Sequence, residues 1–326
     1  MSEHPRDRFD LTPAAAAEAV FLDALERGRL HHAWLLCGPE GIGKSTFAYR
    51  AARRLLGARP DPSRGPLGAA PDDPVSRLVS AQAHPDLLVM ERAVEGGKLK
   101  KSISVDQARD LPEFFSRSPS QAGRRVAIID AADDLNINAA NALLKALEEP
   151  PEGGVLFLVT HSPGRLLGTI RSRCRRLRFA PWSEQALVDL LQRRLGLEAD
   201  EARVAASMAG GSPGAALALA DGATREWDRL ARDWVAGAVA PAEQMATADG
   251  FRGADGQARF EAVMDRLAAA VRQAAIEAGP GRGEGWAALW SRLVEAPERA
   301  AALNLDRADV LAGALSDLAR TRDARC

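Results

Sequence analysis

A glycine-rich segment near the amino terminus has the residue spacing that proteins use to hold phosphate groups. Residues 38–45 read GPEGIGKS and match the pattern GxxxxGK[ST]. Glycines let such a loop turn its backbone N–H groups onto phosphates, the lysine reaches the β- and γ-phosphates, and the hydroxyl binds Mg²⁺. The pattern predicts ATP or ADP with Mg²⁺ as the ligand. The candidate nucleotide-binding residues, of which Ser45 is also a Mg²⁺ ligand, are Gly38, Pro39, Gly41, Gly43, Lys44, Ser45 and Thr46.

An acidic residue at the end of an apolar strand usually completes a site of this kind. The run RVAIID at residues 125–130 provides Asp130, which we expect to orient a Mg²⁺-bound water and to serve as the second metal ligand. ATPases of the AAA+ type usually place a glutamate next, where it polarises the attacking water. Ala131 stands there instead and cannot activate water. Asp133 and Asp134 lie further along, and solvated or helix N-terminal acids are the favoured interpretation of both.

Alternating helices and strands must position these residues. Amphipathic patterns predict helices over residues 14–27 and 44–56, and a loop rich in Pro, Gly, Asp and Arg over 57–73. A third helix over residues 135–147 ends before Pro150. Continuous apolar strands between helices favour a parallel sheet that is covered on both faces, which is an α/β fold. The predicted strands are residues 34–37, 86–90, 126–130, 155–160 and 174–179.

The character of the chain changes after Pro181. Beyond this residue only Ala- and Leu-rich helical patterns occur, with breaks at residues 210–214 and 279–285. We therefore predict three domains. They are a P-loop nucleotide-binding domain over residues 1–182, a small helical domain over 183–222 and an all-helical domain over 223–326.

Composition and charge exclude several classes of protein. The 326 residues carry 43 basic and 44 acidic side chains, for a formal net charge of −1. A protein that grips nucleic acid alone usually has a basic excess, so we expect any DNA contact to be local or shared with partners. The apolar runs are too short to cross a bilayer, and the charged amino terminus lacks the apolar run of a signal peptide. We expect a cytoplasmic protein without membrane contact.

Cysteines and histidines show no metal-binding pattern. The cysteines lie far apart, so we expect reduced thiols, two of them in core strands, and neither a disulfide framework nor a zinc site. They are Cys37, Cys174 and Cys326. The five histidines have no ligand spacing, and we assign them ordinary structural roles. They are His4, His31, His32, His84 and His161.

Four segments resemble the δ′ subunits of the bacterial DNA polymerase III clamp loader, which are relatives of the motor subunits γ and τ. The segments span roughly residues 30–217, and the NALLKALEEPP run beside an SRC motif is the most specific part. The last hundred residues contain no motif. The segments are residues 32–36, 138–151, 171–174 and 211–217. The resemblance implies an AAA+ P-loop domain, a small helical lid domain and a helical collar domain.

The resemblance also implies roles for single residues and partners. Arg173 of the SRC motif would be an arginine finger directed at the ATP of an adjacent motor subunit, where a rigidly placed guanidinium stabilises charge on the γ-phosphoryl group. Thr160 resembles the sensor position at a strand end, although an ordinary strand-end threonine is an equally good interpretation. The implied partners are γ/τ-type motor subunits and the clamp-opening δ subunit in a heteropentamer. The sliding clamp and primer-template DNA would be reached through that assembly.

The absence of a glutamate at Ala131 and of the motor subunits' arginine at Gly214 indicates a subunit that binds nucleotide but hydrolyses little. Gly214 stands where motor subunits carry an arginine that contacts the γ-phosphate, and residues 57–84 lack the four-cysteine zinc module found there in motor subunits and some δ′ relatives. We expect no metal except Mg²⁺ with a nucleotide. A self-sufficient γ/τ-like ATPase that uses Asp133 or Asp134 is the alternative. A nucleotide-free turn or a loop that has lost binding also stays open, whereas a small-molecule kinase is disfavoured because the helical half shows no substrate-closing motif.

Overall fold

The chain forms two compact units, Met1–Leu217 and Ala218–Cys326. The computed structural model describes residues 4–10, 15–95, 98–100, 102–150, 152–220, 222–252, 257–279, 281 and 283–323. Pro151 and Cys326, which the sequence analysis considered, lie outside these residues. The three-domain division at residues 182 and 222 stays a prediction.

The first unit is built around a five-stranded sheet in which every neighbouring pair is parallel. The strand order is β2-β5-β6-β1-β7, and the predicted parallel α/β architecture is therefore confirmed. A separate antiparallel pair, β3 with β4, was not predicted. The strands are β1 Ala33–Cys37, β2 Leu87–Glu91, β3 Val94–Glu95, β4 Lys98–Leu99, β5 Arg125–Asp130, β6 Gly154–Thr160 and β7 Arg175–Arg178.

Nine helices accompany the described strands of this unit, and three of them, α3, α4 and the five-residue α6, escaped prediction. Helix α3 is seven residues long and begins with Pro74 after the Asp73 cap, and helix α4 contains Pro112. Proline and short length both weaken a helical pattern in sequence. The helices are α1 Ala15–Glu26, α2 Lys44–Leu55, α3 Pro74–Ser80, α4 Val105–Ser116, α5 Ile137–Glu148, α6 Gly168–Ser172, α7 Glu184–Leu195, α8 Ala199–Met208 and α9 Pro213–Leu219.

Both faces of the sheet are buried. In β1, Trp34 and Leu36 belong to one apolar cluster, and Leu35 belongs to a second cluster on the other face. Successive strand residues point to opposite faces, so a strand that is covered on both sides is apolar at every position. The two edge strands differ: β2 is partly exposed except at Met90, and in β7 Arg175 and its neighbours are exposed around a buried Leu177.

A buried ion pair holds the long connection that follows α2. Arg50 of α2 donates to Glu18 Oε1 of α1 at 2.7 Å, and both side chains are almost fully buried. Glu18 Oε2 also accepts from the Leu67 backbone N–H at 3.1 Å, and Arg50 donates to the Arg64 carbonyl at 2.8 Å. The pair thus anchors the predicted loop over residues 57–73, whose described backbone contains one short 3₁₀ helix, Pro62–Arg64.

The described residues of the second unit are helical, as the sequence predicted. One apolar cluster, which includes the fully buried Trp234, Leu267 and Leu289, joins its helices. None of the helices that the structure describes is long and apolar enough to cross a membrane. The helices are α10 Gly222–Ala236, α11 Pro241–Asp249, α12 Gln257–Ala278, α13 Glu284–Leu303 and α14 Arg307–Asp323.

Candidate functional site

The glycine-rich loop connects the carboxyl end of β1 to the amino end of α2. Gly41 and Gly43 have φ angles of 70° and 102°, a left-handed region that glycine adopts without steric cost. Lys44 and Ser45 open α2, so they lie at the positive end of the helix dipole, where anions bind favourably. Thr46 follows and is buried. The loop therefore has the chain path that the sequence predicted.

The Lys44 ammonium is held by its own loop and by a histidine. Its Nζ donates to the carbonyl oxygens of Gly38 at 2.7 Å and of Pro39 at 2.6 Å, and it lies 2.9 Å from His161 Nδ1. A protonated Lys44 can only donate, so it would use His161 Nδ1 as an acceptor in this contact. Three partners use all three ammonium protons. Phosphate oxygens of a nucleotide would have to replace some of these acceptors.

Burial changes the acidity of Lys44. The side chain is buried, and this desolvation lowers its pKa to about 8, against the opposing effect of the carboxylates of Asp130, Glu40 and Asp133. Asp130 ends β5, two strands away from β1 in the sheet. The lysine and the predicted metal ligand Asp130 therefore interact electrostatically at the same edge.

Asp133 is a structural anchor. Its carboxylate accepts from the Thr160 hydroxyl at 2.8 Å and from the backbone N–H groups of His161 at 2.6 Å and Ser162 at 3.2 Å. It thereby ties the 3₁₀ turn after β5 to the end of β6. Asp134 is paired with Arg92 at 3.1 Å, and burial raises its pKa. The expectation that the two acids are solvated was wrong, because both are half-buried and bonded. The other expectation, helix N-terminal acids, is confirmed, since both lie in the first turn of the 3₁₀ helix Ala132–Asp134.

The segment at the start of α9 lies directly on the glycine-rich loop. The Gly214 backbone N–H donates to the Gly41 carbonyl at 2.9 Å, and the Ser212 hydroxyl donates to the Glu40 carbonyl at 3.1 Å. A Cβ on Gly214 would lie 2.9 Å from Gly41 Cα, which is closer than Cβ atoms approach other carbons. Gly214 is thus required for this contact.

The sheet register brings most of the predicted nucleotide-site residues together. Cys37, just before the loop, is opposite Thr160 in the parallel β1–β6 pair, and β5 lies on the other side of β6. The carboxyl ends of parallel strands share one edge of the sheet, where ligands of α/β proteins usually bind. The loop, Asp130 and Thr160 therefore share this edge, and the Thr160 hydroxyl is bonded to Asp133.

Arg173 lies elsewhere. It caps the carboxyl end of α6 and comes just before β7, which pairs with β1 so that Trp34 is opposite Arg175 and Cys37 is opposite Arg178. Arg173 is therefore at the amino ends of the strands, the sheet edge opposite the glycine-rich loop. Its Nη1 donates to the Thr169 carbonyl at 3.0 Å, and its Nη2 is 2.9 Å from Glu148 Oε1. About a third of the side chain is exposed.

Sequence reasoning missed two contact residues of these sites. His161 was assigned an ordinary structural role, yet it contacts the loop lysine, and its position directly after Thr160 was the available signal. Glu148 was read only as part of a motif, and no spacing rule links it to Arg173. The two cysteines among the described residues are free thiols: Cys37 lies within β1, and Cys174 lies just before β7 and not inside it. Burial raises the pKa of Cys174 to about 12.

Comparisons with known proteins identify the family. The model of the family described as "DNA polymerase III, delta subunit" matches residues 14–183. The delta′ subunit of Pseudomonas aeruginosa DNA polymerase III is 40% identical over 201 residues, 61% of this chain and 59% of that protein. The Escherichia coli delta′ subunit is 38% identical over 197 residues, 60% of this chain and 57% of that protein.

More distant relatives include the gamma/tau subunit of Mycobacterium tuberculosis, 33% identical over 64% of this chain and 37% of that protein. A solved gamma subunit-related protein from Thermotoga maritima is 19% identical, with a TM-score of 0.44 over 94% of this chain and all of that chain. The chain matches slightly under three fifths of the length of the two delta′ relatives. Because the family model covers more than half of its 326 residues, the chain belongs to the DNA polymerase III delta subunit family, in which it resembles the delta′ subunits.

Proposed function

We propose that the chain is a delta′-like clamp-loader subunit that takes part in loading the sliding clamp onto primed DNA during replication. In this proposal Arg173 acts as an arginine finger at the nucleotide of a neighbouring motor subunit, and the chain itself hydrolyses little ATP. One observation carries the proposal: Arg173 lies at the sheet edge opposite its own nucleotide loop and is partly exposed.

The separation of the two edges favours action on another subunit. Between Arg175 and Arg178, β7 advances by three residues, which is about 10 Å at roughly 3.3 Å per residue. Arg173 comes before this span, and the nucleotide loop comes after the end of β1 at Cys37. A guanidinium bonded to Thr169 and Glu148 does not reach across that distance to a phosphate of its own loop.

The surroundings of the loop support low intrinsic hydrolysis. Ala131 offers no carboxylate, Asp133 already accepts three hydrogen bonds, and Asp134 is paired with Arg92. Gly214 contributes backbone alone. The self-sufficient ATPase therefore finds no support in the described positions of Asp133 or Asp134.

Nucleotide binding belongs to the same proposal. The loop glycines, Lys44 and Thr46 would hold the phosphates of ATP or ADP, and Ser45 with Asp130 would bind the accompanying Mg²⁺. Thr160 would act at the sensor position once its bond to Asp133 is exchanged. No group of three or more potential metal-binding side chains is arranged as a site within the described residues. We propose no zinc.

The proposed partners follow from the relatives. Curated relatives are named gamma/tau and delta′ subunits of DNA polymerase III. We propose γ/τ-type motor subunits and a clamp-opening δ subunit in a heteropentamer, with the sliding clamp and primer-template DNA engaged through the assembly. The α10–α14 unit would form its share of a helical collar. We propose a cytoplasmic location for this assembly.

Reconstitution with motor and δ subunits tests the finger. Arg173→Ala should lower the rate of ATP hydrolysis at the affected site by about a thousandfold or more, the usual contribution of an arginine finger. Single-turnover hydrolysis measures this rate, and size-exclusion chromatography checks that the heteropentamer still forms. An unchanged rate in an intact assembly would remove the assignment.

The isolated chain tests the alternative. We expect no steady ATP turnover by the purified protein. If turnover is observed and both Lys44→Ala and Asp133→Asn abolish it, the chain is a self-sufficient ATPase. Thermal melting of Asp133→Asn is needed beside the rate, because Asp133 anchors the end of β6 and its loss also destabilises the fold.

A further inference from the structure

Helix α5 ends with two glutamates, and acidic side chains at this end lower the stability of the helix. Glu148 is the last residue of α5 and Glu149 caps it, where the helix dipole is negative and acidic side chains are unfavourable. Pro150 follows. Natural sequences break such local rules chiefly where a tertiary contact or a function compensates.

The tertiary contact of Glu148 is Arg173. Glu148 Oε1 lies 2.9 Å from Arg173 Nη2, while the Thr169 carbonyl accepts from Arg173 Nη1 at 3.0 Å. Two different guanidinium nitrogens are therefore held by two different elements, α5 and α6. Because the guanidinium is planar, two such contacts restrict both its position and its orientation.

The backbone on each side of this ion pair is anchored in the core. Leu147, adjacent to Glu148, and Ile170, three residues before Arg173, are buried in the same apolar cluster. The ion pair itself is half-exposed, with 36% of the Arg173 side chain and 51% of the Glu148 side chain accessible. Exposed pairs contribute little to stability, so its main physical effect is to orient the arginine.

We propose that Glu148 is the positioning residue for the arginine finger, holding the Arg173 guanidinium in the orientation that meets the neighbouring nucleotide. This inference rests on the proposed function of Arg173. Glu148 acts through Arg173 and does not itself contact the nucleotide. The effect is large because a displacement of about 1 Å in a catalytic group lowers a rate by about a hundredfold.

The test uses the full reconstituted assembly with Glu148→Gln, which keeps the shape and removes the charge. Its matched control is Glu149→Gln, the same change one residue along, at an exposed side chain that has no ion pair within the described residues. We expect Glu148→Gln to lower kcat at the affected site about 10- to 100-fold. KM for ATP, the melting temperature and the elution volume of the assembly should stay unchanged. Glu149→Gln should behave as the wild type.

The Arg173→Ala variant separates this inference from the proposed function. If Arg173→Ala itself has no effect, the finger assignment fails, and the inference fails with it. If Arg173→Ala slows hydrolysis but Glu148→Gln leaves it unchanged or speeds it, only the positioning role is overturned.

In an Arg173→Ala background, adding Glu148→Gln should lower the rate no further, because the two residues act as one unit. A further loss there would show that Glu148 acts by another route. Glu148→Asp, which keeps the carboxylate, should recover part of the rate and decides the question if Glu148→Gln fails to assemble.

Discussion

At the scale of single residues, Lys44 connects the glycine-rich loop to His161, which follows β6. Its ammonium is bonded to two loop carbonyls and to His161, all within a buried site, where desolvation brings its pKa to about 8. A phosphate would supply both the negative charge and the acceptors that stabilise the protonated form. Nucleotide binding is therefore expected to raise the pKa of Lys44 and to release His161.

The lowered pKa predicts a pH-dependent stability. Between the folded pKa of about 8 and the ordinary value of 10.5, the unfolded chain holds a proton on Lys44 that the folded chain has released. The wild type should therefore gain stability over Lys44→Met as the pH rises from 8 to 9.5, by up to about 1.4 kcal/mol per pH unit. Below pH 8 the difference should level off.

Urea unfolding of the nucleotide-free proteins from pH 6.5 to 9.5 measures this difference. Lys145→Met, which removes an exposed lysine of α5, is the matched control. A constant difference between wild type and Lys44→Met over the whole range would show that Lys44 is not desolvated in the free protein.

At the scale of elements, the contact of the Ser212–Gly214 segment with the glycine-rich loop accounts for the glycine at position 214. The Gly214 backbone N–H donates directly to the Gly41 carbonyl, and a Cβ at position 214 would collide with Gly41 Cα. Any side chain at this position requires the two segments to separate. Packing against Gly41 therefore requires the glycine at position 214.

Gly214→Ala tests this contact. Since the collision is with backbone, which yields less easily than a flexible side chain, we expect a loss of about 1–3 kcal/mol in the free energy of unfolding. Hydrogen exchange at the amides of Gly41 and Lys44 should become faster. Gly164→Ala is the control, because a Cβ there meets nothing within 4 Å, and it should change stability by less than about 0.5 kcal/mol. Equal effects of the two substitutions would contradict the packing explanation.

At the scale of the molecule, each compact unit has its own apolar core. The first unit buries both faces of its sheet, and the second joins its helices around one cluster. Separate cores allow regions of one chain to differ in local stability. In the proposed function, the nucleotide and finger residues belong to one unit and the collar to the other. The separate apolar cores are the physical basis for this division.

Leu289→Ala tests the independence of the two cores. Leu289 is fully buried in the second unit, so its truncation should cost about 2–5 kcal/mol there. Hydrogen exchange should accelerate in α12 and α13 and stay unchanged in β1 and β6. Leu303→Ala in the same helix removes a side chain that is 63% exposed and serves as the control. Equal acceleration in β1 and β6 would show that the chain unfolds as one cooperative unit.

Much of the fold was predictable because burial on both faces makes a strand apolar at every position. The strands that became β1 and β5 were predicted to within one residue for this reason. Helices α3 and α6 were missed because they are only seven and five residues long. Helix α4 was missed because Pro112 interrupts its pattern, although the Ser104–Gln107 capping box at its start was a usable signal.

By itself, the sequence determined the parallel α/β architecture, the position of the phosphate-type loop and the resemblance to the δ′ family. These features depend on residue type and local spacing, which a linear chain displays directly. Tertiary structure alone decided that Asp133 anchors the end of β6, that His161 contacts Lys44, that Gly214 packs on Gly41 and that Glu148 holds Arg173. Each of these contacts joins residues at least 25 positions apart, and no local pattern encodes such a distance.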